Sequence, residues 1–473
     1  MSHRQNCFQQ VFYPCRILIL LLLVLGQQVL AQNSRVIRAQ SAAIEYRIDD
    51  KKATWNINPK GGLKIFDIPV GARGHSKVIF KTEAGSIAYT VKLHQKIRFL
   101  VVHNGDTVQV QLTGVPKRAN FSDSYIKKHK GKFEVAIPEV QELAKIMVAL
   151  STGGSTDSGI TNMRTAYYQK VKAHFTPFKH HPVIDSISKY IKGETDSSYW
   201  HYYTWKMSAN AYAFTPAGKI VNKGIIRDMS FQEPGAPADP FVKHAALVAD
   251  FAAQSGFRKF YAAHRPFYDS LLKAYKTFIP LQDMKDWLEK HYPYQYDYFF
   301  ITFSPLTAGA HSTGIFEDNG FHQTVMYVAA VSVNSRYNEA VNAMLNSRVV
   351  FTEIDHNYDN PVSDQYVTEI NDAMKDKSKW GKGIPDKGAY DSPLDMFKEY
   401  MTWAVFSLYC LDKYSESDVM TFVDRMETQM EQRRGFNNFK AFNRELMRLY
   451  LHYNKTRKAH ELYPEMIAWC KKQ

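Results

Sequence analysis

The chain has 473 residues, 45% of them hydrophobic and 14% aromatic, a composition that buries large cores, supports more than one domain and excludes a disordered chain. Lys and Arg outnumber Asp and Glu by 60 to 46, yet the excess is spread along the sequence, with only local bunches such as Lys127-Lys128-His129-Lys130. With no nucleic-acid motif beside it, that distribution reads as a solvated basic surface and argues against a nucleic-acid partner.

Residues 1–31 read as a secretory signal peptide. Arg4 and Arg16 precede the apolar run Ile17–Leu25, and Val29-Leu30-Ala31 forms a small-residue exit, too short in all for an ordinary membrane span. Cleavage after Ala31 predicts an exported protein, periplasmic or extracellular, with no stable membrane span and a charge balance of 58 to 46. No Cys follows closely enough to carry a lipid anchor. Cys7 and Cys15 leave with the leader, and Cys410 and Cys470 remain. Two thiols make neither a disulfide framework nor a multi-cysteine zinc cluster, and whether they pair is left open.

Residues 41–120 predict a small antiparallel β-sandwich. Runs such as "ATWNINP", "SKVIFKT" and "SIAYTVKL" alternate and are punctuated by turns, and Asn104-Gly105 between two β-rich runs is a hairpin signal. Residues 130–473 predict a mainly helical α+β domain. Pro138 opens a helix whose Val140, Leu143, Ile146, Met147 and Leu150 recur at helical spacing, and later helical runs are interrupted by the strand-like "YDYFFITFSPL" and "QTVMYVAAVS". "STGGSTDSG" (151–159) and "EPGAPADP" (233–240) read as loops. "SSYWHYYTW" (197–205) and "HYPYQYDYFF" (291–300) are candidate platforms for peptide or glycan, set against the commoner role of core packing. The adjacent His180 and His181 point apart in any regular element and read as surface residues.

The chemistry-bearing stretch is "VVFTEIDHNYDNP", 349–361. Taken as a helix from Asn338 to Asn360 and stopped by Pro361, it places Thr352, Glu353 and His356 on one face, at about 100° per residue. Zinc peptidases use H-E-x-x-H on such a face: the two His hold the metal, and the Glu takes a proton from the metal-bound water. Here Thr352 stands in the first His position, and threonine is a poor zinc ligand. In gluzincins, zincins with a glutamate third ligand, that ligand comes from a downstream helix. "SPLDMFKEYMTWAVFSLY" offers Glu399, with Asp395 one turn before it as an outer or substitute group. Asp355 and Asp359 are placed to orient His356 or to solvate the helix end, and Tyr358 to reach an oxyanion or pack in the core.

The order of these pieces, from "ATWNINP" and "SIAYTVKL" through "FEVAIPEVQELAKIMVALS" and "YYQKVKAHFTPFKHHPVI" to the Glu-x-x-His helix ending "NYDNP" and then "KEYMTWA", resembles a bacterial family of secreted, zincin-like proteins of unknown function. The resemblance spans about residues 48–450. It implies a gluzincin-type fold and a metallopeptidase acting on peptide or protein, with Glu353 in the catalytic position, His356 and Glu399 as metal ligands, Asn360-Pro361 as the trailing pair and Zn2+ as cofactor. Thr352 departs from the pattern and weakens the metal site. Four arrangements stay open: a metal held by Glu353, His356 and Glu399, with or without Asp395; a His such as His311 or His322 filling the vacancy; a metal-free cleft kept for binding peptide or glycan; and a plain hydrogen-bonded Glu353–His356 pair.

Overall fold

The computed structural model describes residues 35–57, 63–71, 73–192, 198–226, 240–381, 390 and 392–473. The stretch 1–31, expected as a leader, and nearly all of the segment 233–240 lie outside them. The chain divides into two compact units between Lys117 and Arg118.

The first unit carries β1 (Val36–Ala39), β2 (Ala43–Ile48), β3 (Lys51–Asn56), β4 (Leu63–Val70), β5 (His75–Thr82), β6 (Gly85–Lys92), β7 (Lys96–His103) and β8 (Asp106–Pro116). They form two four-stranded sheets, ordered β1-β7-β8-β4 and β3-β2-β5-β6. Alternation supplies the core. In β5 Val78 and Phe80 point inward, in β7 Phe99 and Val101, and the Phe80 and Phe99 rings meet across the sheets at 5.1 Å. Asn104 and Gly105 link β7 to β8 with φ of 52° and 86°, the left-handed pair of a two-residue hairpin turn. Not every pairing is antiparallel, because β1 runs parallel to β7 and β4 parallel to β8. β1 leaves for the other sheet and β4 arrives from it, and a strand connected that way is not bound to the antiparallel pairing of a hairpin.

The second unit is mostly helical. Its main sheet, ordered β13-β14-β12-β9, comprises β9 (Lys132–Ala136), β12 (Tyr298–Ser304), β13 (Ser312–Asp318) and β14 (Phe321–Ala329), with β10 (Tyr212–Phe214) and β11 (Ile220–Asn222) paired separately. Strands β9, β12 and β14 are parallel, and β13 returns antiparallel along the outside. The helix α1 (Glu139–Leu150) buries Val140, Leu143, Ile146 and Met147, as its spacing predicts. Within 151–159, expected as a plain loop, Thr152–Thr156 forms a short helix capped by Ser151, whose Oγ accepts from the Gly154 N–H. Gly154 is required there, since a Cβ would lie 2.0 Å from the Val148 carbonyl oxygen.

Aromatic residues at 201–205 and 292–298 serve the core. In α2 (Ser198–Ser208) Tyr202 and Trp205 are buried, and Trp205 Nε1 donates to the Ala144 carbonyl. Tyr292, Tyr296 and Tyr298 are buried as well. His180 is exposed as expected, but His181 is buried and bonds Asp250 through Nε2 at 3.0 Å. Cys410 and Cys470 are free and buried.

Two long helices, α3 (Glu339–Ser363) and α4 (Pro393–Lys413), pack against each other, with Phe351 and Phe406 in ring contact at 5.0 Å. Asn338 caps α3 by accepting from the Val341 N–H, and Ser392 caps α4 by accepting from Asp395. The helix α3 does not stop at Pro361 but runs on to Ser363. Proline lacks the N–H that would bond the Asn357 carbonyl one turn earlier. Tyr296 fills that role, its hydroxyl donating to Asn357 O at 2.6 Å.

Candidate functional site

Glu353 and His356 lie half-buried on the same face of α3, and α4 brings Glu399 to them. His356 Nε2 is 3.9 Å from Glu399 Oε2. The convergence expected of these residues is therefore present, and an imidazole and a carboxylate this close have the spacing to share a cation.

The rest of the surroundings favours another occupant of that carboxylate. Arg434 follows a π-helical turn, Gln429–Arg433, and sends Nη1 to within 2.5 Å of Glu399 Oε1 and Nη2 to within 3.0 Å of the Tyr390 hydroxyl. Trp403, one turn after Glu399 on α4, donates its indole N–H to the same Oε1 at 2.7 Å. Burial alone would raise the Glu399 carboxyl, but Arg434 and then His356 outweigh it and hold the group below its ordinary value.

Two further cations face Glu353. Lys206, at the end of α2, is buried and donates to the carbonyl of Ala310. Arg348, on α3, stacks on the Trp403 ring at 4.2 Å, with Arg434 at 4.9 Å from the same ring. Burial pushes the Glu353 carboxyl up to about 8, opposed first by Lys206, reinforced by the charge of Glu399, and opposed again by Arg434 and Arg348. Burial lowers Lys206 to about 7 against the pull of Glu353, and lowers Arg348 to about 10. His311, in the β12–β13 connection, is held near 3 by burial and by Arg348, Lys206 and Arg434. Its imidazole is neutral, and its Nε2 is buried with no partner.

Behind His356, Thr402 lies 3.3 Å from Nδ1 and donates to Asp359 Oδ2 at 3.2 Å. Asp359 and Asp355 are fully buried, and burial raises both carboxyls well above the usual range. Asp359 thus orients His356 through Thr402, and neither residue solvates the helix end.

Several expected participants lie elsewhere. Thr352 is buried and turns its hydroxyl to the Val349 carbonyl of its own helix, at 3.3 Å. Asp395 accepts from Ser392 Oγ at 2.6 Å as part of the α4 cap. His322 sits between Asp297 and Glu317, at 3.4 and 3.7 Å, in a separate pocket of about 610 Å³. Tyr358 is buried, and its hydroxyl reaches toward Glu289 at 3.4 Å. Among the described residues Glu353 and His356 do not form a hydrogen-bonded pair.

Lys206, Arg348, Trp403 and Arg434 were not singled out by the motif. Arg348 carries the one local signal: a cation set inside the helical run "MLNSRVVFTEI", five residues before Glu353. The donor set does not fit a zinc ion. The first ligand position points into its own helix, Glu399 Oε1 is taken by two donors so that only Oε2 faces His356, and three cationic side chains crowd the place where a dication would add further positive charge. Among the described residues no three His, Cys, Asp or Glu side chains are grouped to hold a metal. No family model, curated protein or solved structure matches this chain.

Proposed function

We infer that this is an exported, zincin-like protein that binds peptide without hydrolysing it. The observation that carries the reading is the Arg434–Glu399 ion pair, joined by Arg348 and Lys206 around Glu353. A metallopeptidase needs its third carboxylate free for the metal and its glutamate ionised to take a proton from water. Here the charge of the first group is already offset by an arginine on its Oε1, and burial keeps the second protonated up to about pH 8. Peptide is the favoured ligand because β13, the outer strand of its sheet, packs beside α3, and an outer strand is the edge with which an extended chain pairs.

Metal analysis of the purified full chain, combined with a peptidase assay on an unfolded protein substrate, tests the reading. The expected result is no stoichiometric zinc, no hydrolysis and a melting temperature unchanged by chelator. Zinc at one per chain, lost in His356→Ala together with peptidase activity, overturns it.

A further inference from the structure

Arg348 stands apart from the other cations of the site. Arg434 has Glu399 and Tyr390, and Lys206 has the Ala310 carbonyl. Among the described residues no acceptor takes an N–H of Arg348. Its guanidinium carbon lies 4.2 Å from the centroid of the Trp403 ring, and a contact with a ring face consumes none of its five N–H donors. Arg348 is half-buried and on the same helix as Glu353 and His356, one helical turn before Thr352.

The charge inventory says what is missing. Glu399 neutralises Arg434, whereas among the described residues no carboxylate is bound to the guanidinium of Arg348. Its positive charge is left unpaired. A planar monoanion matches both this charge and the geometry of a guanidinium edge, whereas a dianion would set surplus negative charge beside Glu399 and Glu353.

We propose that Arg348 is a ligand-binding residue that takes the carboxylate of a peptide ligand through its guanidinium edge. The inference rests on the non-hydrolytic reading above and adds the group that the site recognises.

The full chain is titrated with N-acetylalanine, with its uncharged amide and with inorganic sulfate, at matched ionic strength, and followed by thermal midpoint and tryptophan emission. The acid gives a saturable response and the amide gives none. Arg348→Met weakens acid binding by about tenfold or more, as loss of a charge-assisted pair does. Arg348→Lys, which keeps the charge and most of the stem, retains the fold and loses a smaller part, because the fork is gone. An equal response to acid and amide overturns the proposal, as does the absence of any saturable response to the acid. Both comparisons are made on the unmutated protein, so a misfolded variant does not blunt them. Sulfate binding tighter than acid overturns the choice of carboxylate. Zinc content is scored on the same preparation: stoichiometric zinc defeats the non-hydrolytic reading, whereas metal-free protein indifferent to the acid defeats this inference alone.

Discussion

Arg434 Nη1 lies 2.5 Å from Glu399 Oε1, with the arginine side chain 23% exposed and the carboxylate side chain 5%. Removing one member strands the other with little water to replace it. Glu399→Ala is expected to destabilise the protein by about 2–3 kcal/mol, somewhat below the ~3–5 kcal/mol of a fully buried broken pair because Arg434 keeps some contact with solvent. Replacing both residues by apolar ones of similar size costs less than the single change. Urea unfolding of the two variants checks this, and a double variant no more stable than the single one would mean that the pair is not the relevant interaction.

The burial of Glu353 makes stability depend on pH with a definite sign. Its folded pKa, about 8, lies above the ordinary 4.5, so between those values the folded chain holds a proton that the unfolded chain has released. Stability from this group therefore falls as pH rises from about 4.5 to about 8. Lys206 opposes the trend from about pH 7 upward, since its folded pKa is depressed. Around Glu353 the groups that set the effect are Lys206, Glu399, Arg434 and Arg348, with the Tyr203 and Tyr275 hydroxyls also within its field. Parent and Glu353→Gln are compared by chemical denaturation across this range. The parent should lose ground to the variant as pH rises, and parallel curves would contradict the buried carboxyl.

Restoring the missing histidine is not enough to restore a metal site. Thr352→His supplies the absent imidazole but leaves Arg434 on Glu399 and Arg348 and Lys206 nearby. The single variant is expected to purify without stoichiometric zinc. Thr352→His combined with Arg434→Gln frees Glu399 and lowers the local positive charge, and it should bind zinc measurably more tightly than the single variant. Tight stoichiometric binding by Thr352→His alone would show that the cations are no obstacle.

Tyr296 is predicted to matter because of Pro361. Loss of its hydroxyl in Tyr296→Phe leaves the buried Asn357 carbonyl without its donor, at a cost of about 1–2 kcal/mol. In a Pro361→Ala background a backbone N–H is available again, and the same tyrosine change should cost distinctly less. A double-mutant cycle reads this coupling directly. Equal costs in both backgrounds would show that the two residues act independently.

The two-part organisation was legible because period-two alternation ends and helical periodicity begins as the second unit opens, and Asn104-Gly105 marked its hairpin. The parallel placement of β1 and β4 was not, since partner choice across switched sheets leaves no trace in the local pattern of either strand. In the site, helical geometry put Glu353 and His356 on one face because the motif has a fixed local spacing, whereas Glu399 entered only as the downstream glutamate that a gluzincin pattern asks for. Arg434 and Lys206 escaped notice because they are far away in sequence and arrive from other helices. Pro361 misled for a different reason: a local rule about missing N–H groups gave way to a hydroxyl supplied from 61 residues away.

That hydroxyl also links the two positions across generations. A lineage that keeps proline at 361 needs a side-chain donor at 296, and one that loses the proline is released from that need. As sequences of relatives accumulate, the two sites should covary, phenylalanine at 296 being tolerated mainly where 361 is no longer proline.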